Sequence, residues 1–287
     1  MEIKPHLREF EQQQDLLYGV AYRMLGSVCD SEDVMQDAYL RWSKTHLRSI
    51  DNPAAFLTSV VSRLCIDKLR KRKVEKLNYK GPWLPDPIPT EPGPEEDVVT
   101  LESISMAFMV VLEKLNPLER AVFILREAFD VAHIDIAEML QISACYSRQL
   151  LRRAKKVMLS VGEMPQTNEN VMPLVNAFLV AAQSGKTEVL KSMLCEDVVA
   201  YTDGGGRASA ALVPLVGHEM VTTVFTHLIN KAEEQLDVKW VLTNQQWGML
   251  TYEGGRLSSV TTFELKDDKI YRIYVMRNPD RLLAFAE

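Results

Sequence analysis

The chain has 287 residues, 33 basic and 39 acidic side chains, a net charge of −6 and a hydrophobic fraction of 47%. That length supports two or three cores, and the acidic balance excludes a uniformly basic nucleic-acid coat. No run of about 18 apolar residues occurs and positions 1–10 are too polar for a signal peptide, so a cytoplasmic protein with no membrane partner is expected.

Phe10, Leu16, Leu17, Val20, Ala21, Met24 and Leu25 recur at helical spacing up to Gly26, which suits a helix C-terminus. Ser31 is expected to cap the next helix, with acids in its first turn and Val34, Ala38, Leu40 and Trp42 buried. Glu32, Asp33, Gln36 and Asp37 then form a polar surface, fit for docking or simply solvated. Pro53 opens a helix whose apolar face runs from Phe56 to Leu69. Its end is basic, with Arg63, Lys68, Arg70, Lys71, Arg72 and Lys73, and Asp67 is placed to pair with Lys71. Such a helix suits contact with a nucleic-acid backbone; solvated charge is the plainer alternative.

From Asn78 to Pro94 prolines forbid regular structure and acids accumulate, which predicts a linker. Within it, Trp83, Leu84, Pro85, Asp86 and Pro87 present a large apolar area on a stiff peptide, a plausible docking segment. A short apolar helix over Leu101–Leu115 and a proline-started helix from Pro117 to Ala128 follow. Next come two short helices with a tight turn. Ile134, Ala137, Met139 and Leu140 line the first, and Ser143 caps a second with Tyr146, Leu150, Leu151 and Ala154 at core spacing. Arg148, Arg152, Arg153, Lys155 and Lys156 cover the remainder of the second helix. This is the helix-turn-helix pattern, although Gln141 stands where glycine is common; a basic helical hairpin is the alternative.

After a hinge the pattern changes: helices at Asn170–Ala182, Thr187–Leu194 and His218–Lys231, then strand-like runs at Leu236–Leu242, Gln246–Tyr252, Arg256–Leu265 and Lys269–Val275. Turns at Glu253–Gly255 and Asp267–Asp268 make those runs an antiparallel meander in an α+β domain. Asp203, His218 and His227 are the groups that could suggest catalysis. No phosphate-loop glycine spacing accompanies them, and Cys29, Cys65, Cys145 and Cys195 are scattered without a metal-site spacing. No catalytic residue, cofactor or metal is expected.

The stretches SEDVMQDAYLRW and NPAAFLTSVVSRLCIDKLRKRK resemble the second conserved region of bacterial sigma-70 factors of the extracytoplasmic-function (ECF) type. LNPLERAVFILREAFDVAHIDIAEMLQISACYSRQLLRRAKK resembles their fourth region. The resemblance implies polymerase-clamp contact by Glu32, Asp33, Gln36 and Asp37. It implies reading of the −10 element by Arg63, Asp67, Arg70, Lys71, Arg72 and Lys73 with the loop Leu47–Asp51. It further implies reading of the −35 element by Ala144, Cys145, Ser147, Arg148, Gln149, Arg152, Arg153 and Lys155. The final third resembles the SnoaL-like, cone-shaped domain that some ECF factors carry. Trp83–Pro87, Asp203-Gly204-Gly205-Gly206-Arg207 and Asn278-Pro279-Asp280-Arg281-Leu282 match that family's WLPEP, DGGGK and NPDKL motifs.

These implications give a multidomain chain of two all-α sigma modules and an α+β cone. The expected division is a region 2 module at 1–77, a proline-rich linker at 78–100, a region 4 module at 101–160, a hinge at 161–168 and a SnoaL-like domain at 169–287. Core RNA polymerase and promoter DNA are the implied partners. The three motifs are expected to meet in an intramolecular contact through which the cone controls the sigma modules, and the apolar cone could also hold a small-molecule ligand. The alternative is a one-component, ligand-responsive helix-turn-helix regulator.

Overall fold

A computed structural model describes residues 5–47, 50–90, 105–159, 171–231 and 236–285. The acidic end of the linker, the start of the Leu101–Leu115 helix, the hinge, and Arg48 and Ser49 of the Leu47–Asp51 loop lie outside them. The chain divides into two compact units. One holds residues 1–77, 94–102 and 108–163; the other holds 78–93, 103–107 and 164–287.

The first unit is helical: α1 (Pro5–Gln12), α2 (Gln14–Leu25), α3 (Val28–Trp42), α4 (Pro53–Glu75), α5 (Met106–Leu112), α6 (Pro117–Phe123), α7 (His133–Leu140) and α8 (Ala144–Leu159). Local chemistry places most ends. Gly26 closes α2 in the left-handed conformation (φ 59°). Asn116 and Glu119 form a capping box at α6, whose register then widens into a π-turn over Ile124–Ala128. Ser27, not Ser31, caps α3; Ser31 is buried and donates to the Ser27 carbonyl at 2.6 Å. The acids of 30–33 therefore lie inside the first two turns. Leu40 is exposed, because α3 turns its stripe through Val34, Met35, Ala38 and Trp42 instead.

In the helix-turn-helix, Gln141 takes the left-handed C-cap (φ 56°, ψ 48°) that glycine would adopt without strain. The Ser143 hydroxyl accepts the Tyr146 amide at 3.1 Å. Ile134 and Tyr146, expected inside, are exposed; Ile136 and Ser147 take the inward positions.

The second unit comprises α9 (Val171–Gln183), α10 (Thr187–Ser192), β1 (Leu194–Asp203), β2 (Leu215–Val216), α11 (His218–Lys231), β3 (Leu236–Thr243), β4 (Gln246–Glu253), β5 (Arg256–Lys266) and β6 (Lys269–Met276). The sheet order is β2-β1-β6-β5-β4-β3, antiparallel except for β1 against β6. The expected meander is thus extended by a parallel strand. Two-residue turns at Asn244–Gln245 and Asp267–Asp268 hold positive φ at both positions, the geometry that matches strand twist. Val175, Phe178, Leu190, Val198, Val221, Phe263 and Ile273 form the core between helices and sheet.

A buried acid sits on β5 of this sheet. Glu264 on β5 stands opposite Arg272 on β6 and hydrogen-bonds Tyr274, whose ring stacks on Tyr201 at 5.5 Å. Burial pushes its carboxyl up to about 7, against an ordinary 4.5. The folded state therefore holds a proton that the unfolded chain releases. This residue's contribution to stability is complete below about pH 4.5 and is lost as pH rises towards 7, at up to ~1.4 kcal/mol per pH unit. Glu264→Gln should flatten that slope and stabilise the chain at pH 8 by about 2–3 kcal/mol. Urea titrations of both forms at pH 5, 6, 7 and 8 check this, and parallel pH curves would refute it.

Candidate nucleic-acid interface and linker clamp

On α4 the basic run divides by helical phase. Lys71, Lys73 and Arg70 face solvent, Arg70 paired with Asp67 at 3.2 Å; Asp67 thus pairs one residue earlier than the expected Lys71. Arg72 is buried, donating to the Leu25 carbonyl and to Asp30, so its expected place at the DNA surface is corrected to a structural one. Lys68 bridges Asp30 at 2.9 Å and Asp33 at 2.8 Å. Burial alone would raise the Asp30 carboxyl, but Lys68 and Arg72 hold it below its ordinary range. Glu32, Asp33, Gln36 and Asp37 are exposed along α3. Arg63 donates through Nε to the Met139 carbonyl at 2.6 Å, where Ser59 also donates at 3.0 Å. These bonds join α4 to the end of α7.

On α8, Ser147, Leu150 and Ala154 form the inward stripe. Ser147 is 0% exposed and bonds His133 Nδ1 at 2.8 Å, which removes it from any DNA surface. Cys145, Arg148, Gln149, Arg152 and Arg153 project outward, with Ala144 half-buried. Lys155 is also exposed, paired with Glu127 at 2.8 Å.

The second unit gathers residues from three distant stretches. Asp203, at the end of β1, accepts from Tyr79 Oη at 2.5 Å, the Leu84 amide at 2.8 Å, the Gly205 amide at 3.1 Å and Arg281 Nη1 at 2.9 Å. Arg281 also pairs with Asp86 and lies over the Trp83 ring, 4.5 Å from its centroid. Asn278 donates to Tyr79 Oη at 3.3 Å and caps Pro279–Arg281 by accepting from the Asp280 amide at 3.2 Å. Burial pushes the Asp203 carboxyl up, against donors that favour its ionised form. Burial would lower Arg281, but Asp86 and Asp203 raise it above its ordinary value. Arg207 lies outside this cluster, exposed and paired with Asp280 at 3.3 Å.

Leu84, Pro85, Asp86 and Pro87 are buried, Trp83 is half-buried, and Leu282 is buried behind the tail. Gly204 and Gly205 leave no room for a side chain. A Cβ on Gly204 would stand 2.3 Å from the Ala208 carbonyl oxygen, and one on Gly205 2.3 Å from Asn278 Nδ2. A second anchorage was not evident in the sequence. Asn244 exchanges bonds with Ile88, Oδ1 accepting its amide at 3.0 Å and the Asn244 amide reaching its carbonyl at 2.9 Å; Thr90 N–H reaches the Leu242 carbonyl at 2.8 Å. The linker therefore extends along the β3–β4 turn. In the sequence only the Asn244-Gln245 pair between two strand-like runs marked that turn, and nothing marked its contact with the linker.

Among the described residues no helix is long and apolar enough to cross a membrane, and no cluster of metal-ligating side chains occurs. Residues 10–75 match the Sigma-70 region 2 family and 105–158 the Sigma-70, region 4 family. The chain is 33% identical over 291 residues to the ECF RNA polymerase sigma factor SigJ of Mycobacterium tuberculosis, covering 95% of this chain and 92% of that one. It is 26% identical over 277 residues to a probable ECF sigma factor, SigI, of the same organism, covering 93% and 91%. The crystal structure of M. tuberculosis SigJ superposes with a TM-score of 0.76 at 32% identity, covering 97% of this chain and 98% of that one. With both sigma helical regions in order and a relative matched over nearly its whole length, the chain belongs to the ECF RNA polymerase sigma factors.

Proposed function

We propose that the chain binds core RNA polymerase in the cytoplasm and directs promoter-specific initiation under the control of its own C-terminal unit. The functional modules are 1–77 and 101–160, with the linker 78–100 between them and the cone, 169–287, beyond the hinge at 161–168. Glu32, Asp33, Gln36 and Asp37 serve the polymerase clamp. Arg63, Asp67, Arg70, Lys71 and Lys73 serve the −10 element. Ala144, Cys145, Arg148, Gln149, Arg152, Arg153 and Lys155 serve the −35 element, where an arginine on a guanine edge contributes about 1–3 kcal/mol of discrimination. Opening a promoter needs phosphate clamps and stacking surfaces rather than a catalytic group.

The observation that carries control in cis is the clamp on the linker. The segment joining α4 to α5 is held by Asp203, Asn278 and Arg281, so its freedom depends on the cone. Arg63 is engaged with Met139, so its use on DNA requires α4 and α7 to part. Run-off transcription with purified core polymerase, comparing the full chain with a form ending near Ser160, tests the reading. The two forms should differ by about 5–150-fold, the usual range of coupling between linked sites. Equal output would refute control in cis, and no specific initiation by either form would refute the assigned promoter roles.

A further inference from the structure

The cone forms a cavity of about 410 Å³, partly open to solvent, between α9, α11 and the sheet. Its wall is apolar over most of its extent, with Phe178, Phe225, Val238, Met249 and Phe263. The volume is that of a small-molecule site. A cavity of this size lined only by hydrocarbon would accept any apolar molecule; this one carries an arginine. Arg277, just beyond β6, donates through Nη2 to Glu253 at 2.9 Å, and Glu253 is 52% exposed. The Arg277 Nε–H is buried without an acceptor. A guanidinium presents its donors as a planar fork, and an unmet donor in an apolar wall favours a ligand that brings an anionic oxygen pair.

The same wall is continuous with the linker clamp. The Arg277 and Asn278 amides donate to the Asp203 carbonyl at 2.7 and 3.0 Å. Thr202 lines the cavity next to Asp203, and its hydroxyl accepts the amide of another wall residue, Ala211, at 2.8 Å. Linker residue Gly81 approaches that stretch so closely that a Cβ on it would stand 3.4 Å from the Ala211 carbonyl oxygen. A ligand that repositions Arg277 thus acts on backbone that holds Tyr79, Leu84 and Arg281.

We propose that this cavity is an effector site for an apolar carboxylate, whose head group engages Arg277 in place of Glu253 and whose binding changes the hold of the Asp203–Asn278 clamp on the linker. The second half rests on the reading that the clamp controls the sigma modules.

Isothermal titration calorimetry on the full chain with decanoate, 1-decanol and decylamine tests the site. Decanoate should bind saturably at one site, tighter than either analogue, and Arg277→Met should weaken it by about tenfold or more. Val224→Trp, which fills the cavity from α11, should abolish binding while circular dichroism stays native. No binding, equal binding of decylamine, or an unchanged affinity in Arg277→Met would overturn the assignment. Hydrogen exchange at the Leu84 amide, with and without decanoate, tests the coupling: a changed rate supports it and an unchanged rate overturns it. If binding and exchange behave as expected but run-off output ignores decanoate, the ligand site stands and the reading that the clamp controls the sigma modules fails.

Discussion

Arg281→Ala should destabilise the C-terminal unit by about 3–5 kcal/mol, the cost of removing one partner from a buried ion pair. Arg281 holds Asp86 and Asp203, whose side chains are 6% and 0% exposed. Without the guanidinium two carboxylates share a buried space, and one of them must take up a proton or admit water. In the variant the Asp203 carboxyl, already pushed up by burial, loses the Arg281 cation that held it down, so the deficit is full at neutral pH and shrinks as pH falls towards 4. The Leu84 amide, which donates to Asp203 at 2.8 Å, should exchange faster. Urea unfolding followed at pH 4.5 and 7.5, with exchange at Leu84, checks both. A loss below about 1 kcal/mol, within the range of exposed pairs, would show that the clamp is not built on this charge.

A length-compensating pair sharpens the test. The motifs that Trp83–Pro87 and Asn278–Leu282 resemble carry Glu and Lys where this chain carries Asp86 and Arg281. Arg281→Lys keeps the charge but loses the fork that serves two carboxylates at once. Asp86→Glu brings its carboxylate one methylene closer to the shorter base. Each single change should destabilise, and the double variant should recover part of the loss, with a coupling of about 0.5–3 kcal/mol. Strict additivity would mean the two side chains act independently.

Elements with local causes were legible: Pro53, Pro117 and Ser143 open α4, α6 and α8, and α11 covers the expected His218–Lys231. The direction of individual side chains was harder to read. Arg72 looks like one more cation in a basic run, yet it continues the stripe of Val61, Cys65 and Leu69, and its phase along α4 decides its fate. Ser147 likewise shares the stripe of Leu150 and Ala154. In both cases residue type suggested solvent and helical phase imposed burial, with a distant partner, Asp30 or His133, satisfying the polar atom. The meeting of the Trp83, Asp203 and Asn278 segments was inferred from motif resemblance. Tyr79 and Asn244, which hold the linker across more than a hundred residues, have no local signature because their partners are chosen by tertiary packing.

Arg120 should prove equally sensitive in the helical unit. Its side chain is 2% exposed and donates to the Leu112 carbonyl at 2.8 Å, the Met24 carbonyl at 2.7 Å and Glu113 at 2.7 Å. Glu113 also pairs with Lys76 at the end of the α4 segment. Burial would raise the Glu113 carboxyl, but Arg120 and Lys76 hold it below its ordinary range. One guanidinium thus joins α2 to α5 and α6, the helices of the two sigma regions. Arg120→Ala should cost about 3–5 kcal/mol by leaving two carbonyls and a carboxylate short of donors. That corresponds to a fall of roughly 10 °C in the melting of this unit. Combining Arg120→Met with Glu113→Leu removes the guanidinium and its carboxylate together, leaves the partly exposed Lys76 to turn to water, and should recover most of the loss, since an apolar pair of similar volume needs no desolvation. Calorimetric melts of the single and double variants decide the point. Recovery would show that the two sigma regions need filled volume here rather than charge. A double variant as unstable as Arg120→Ala would show that the Met24 and Leu112 carbonyls, not the ion pair, set the requirement for arginine.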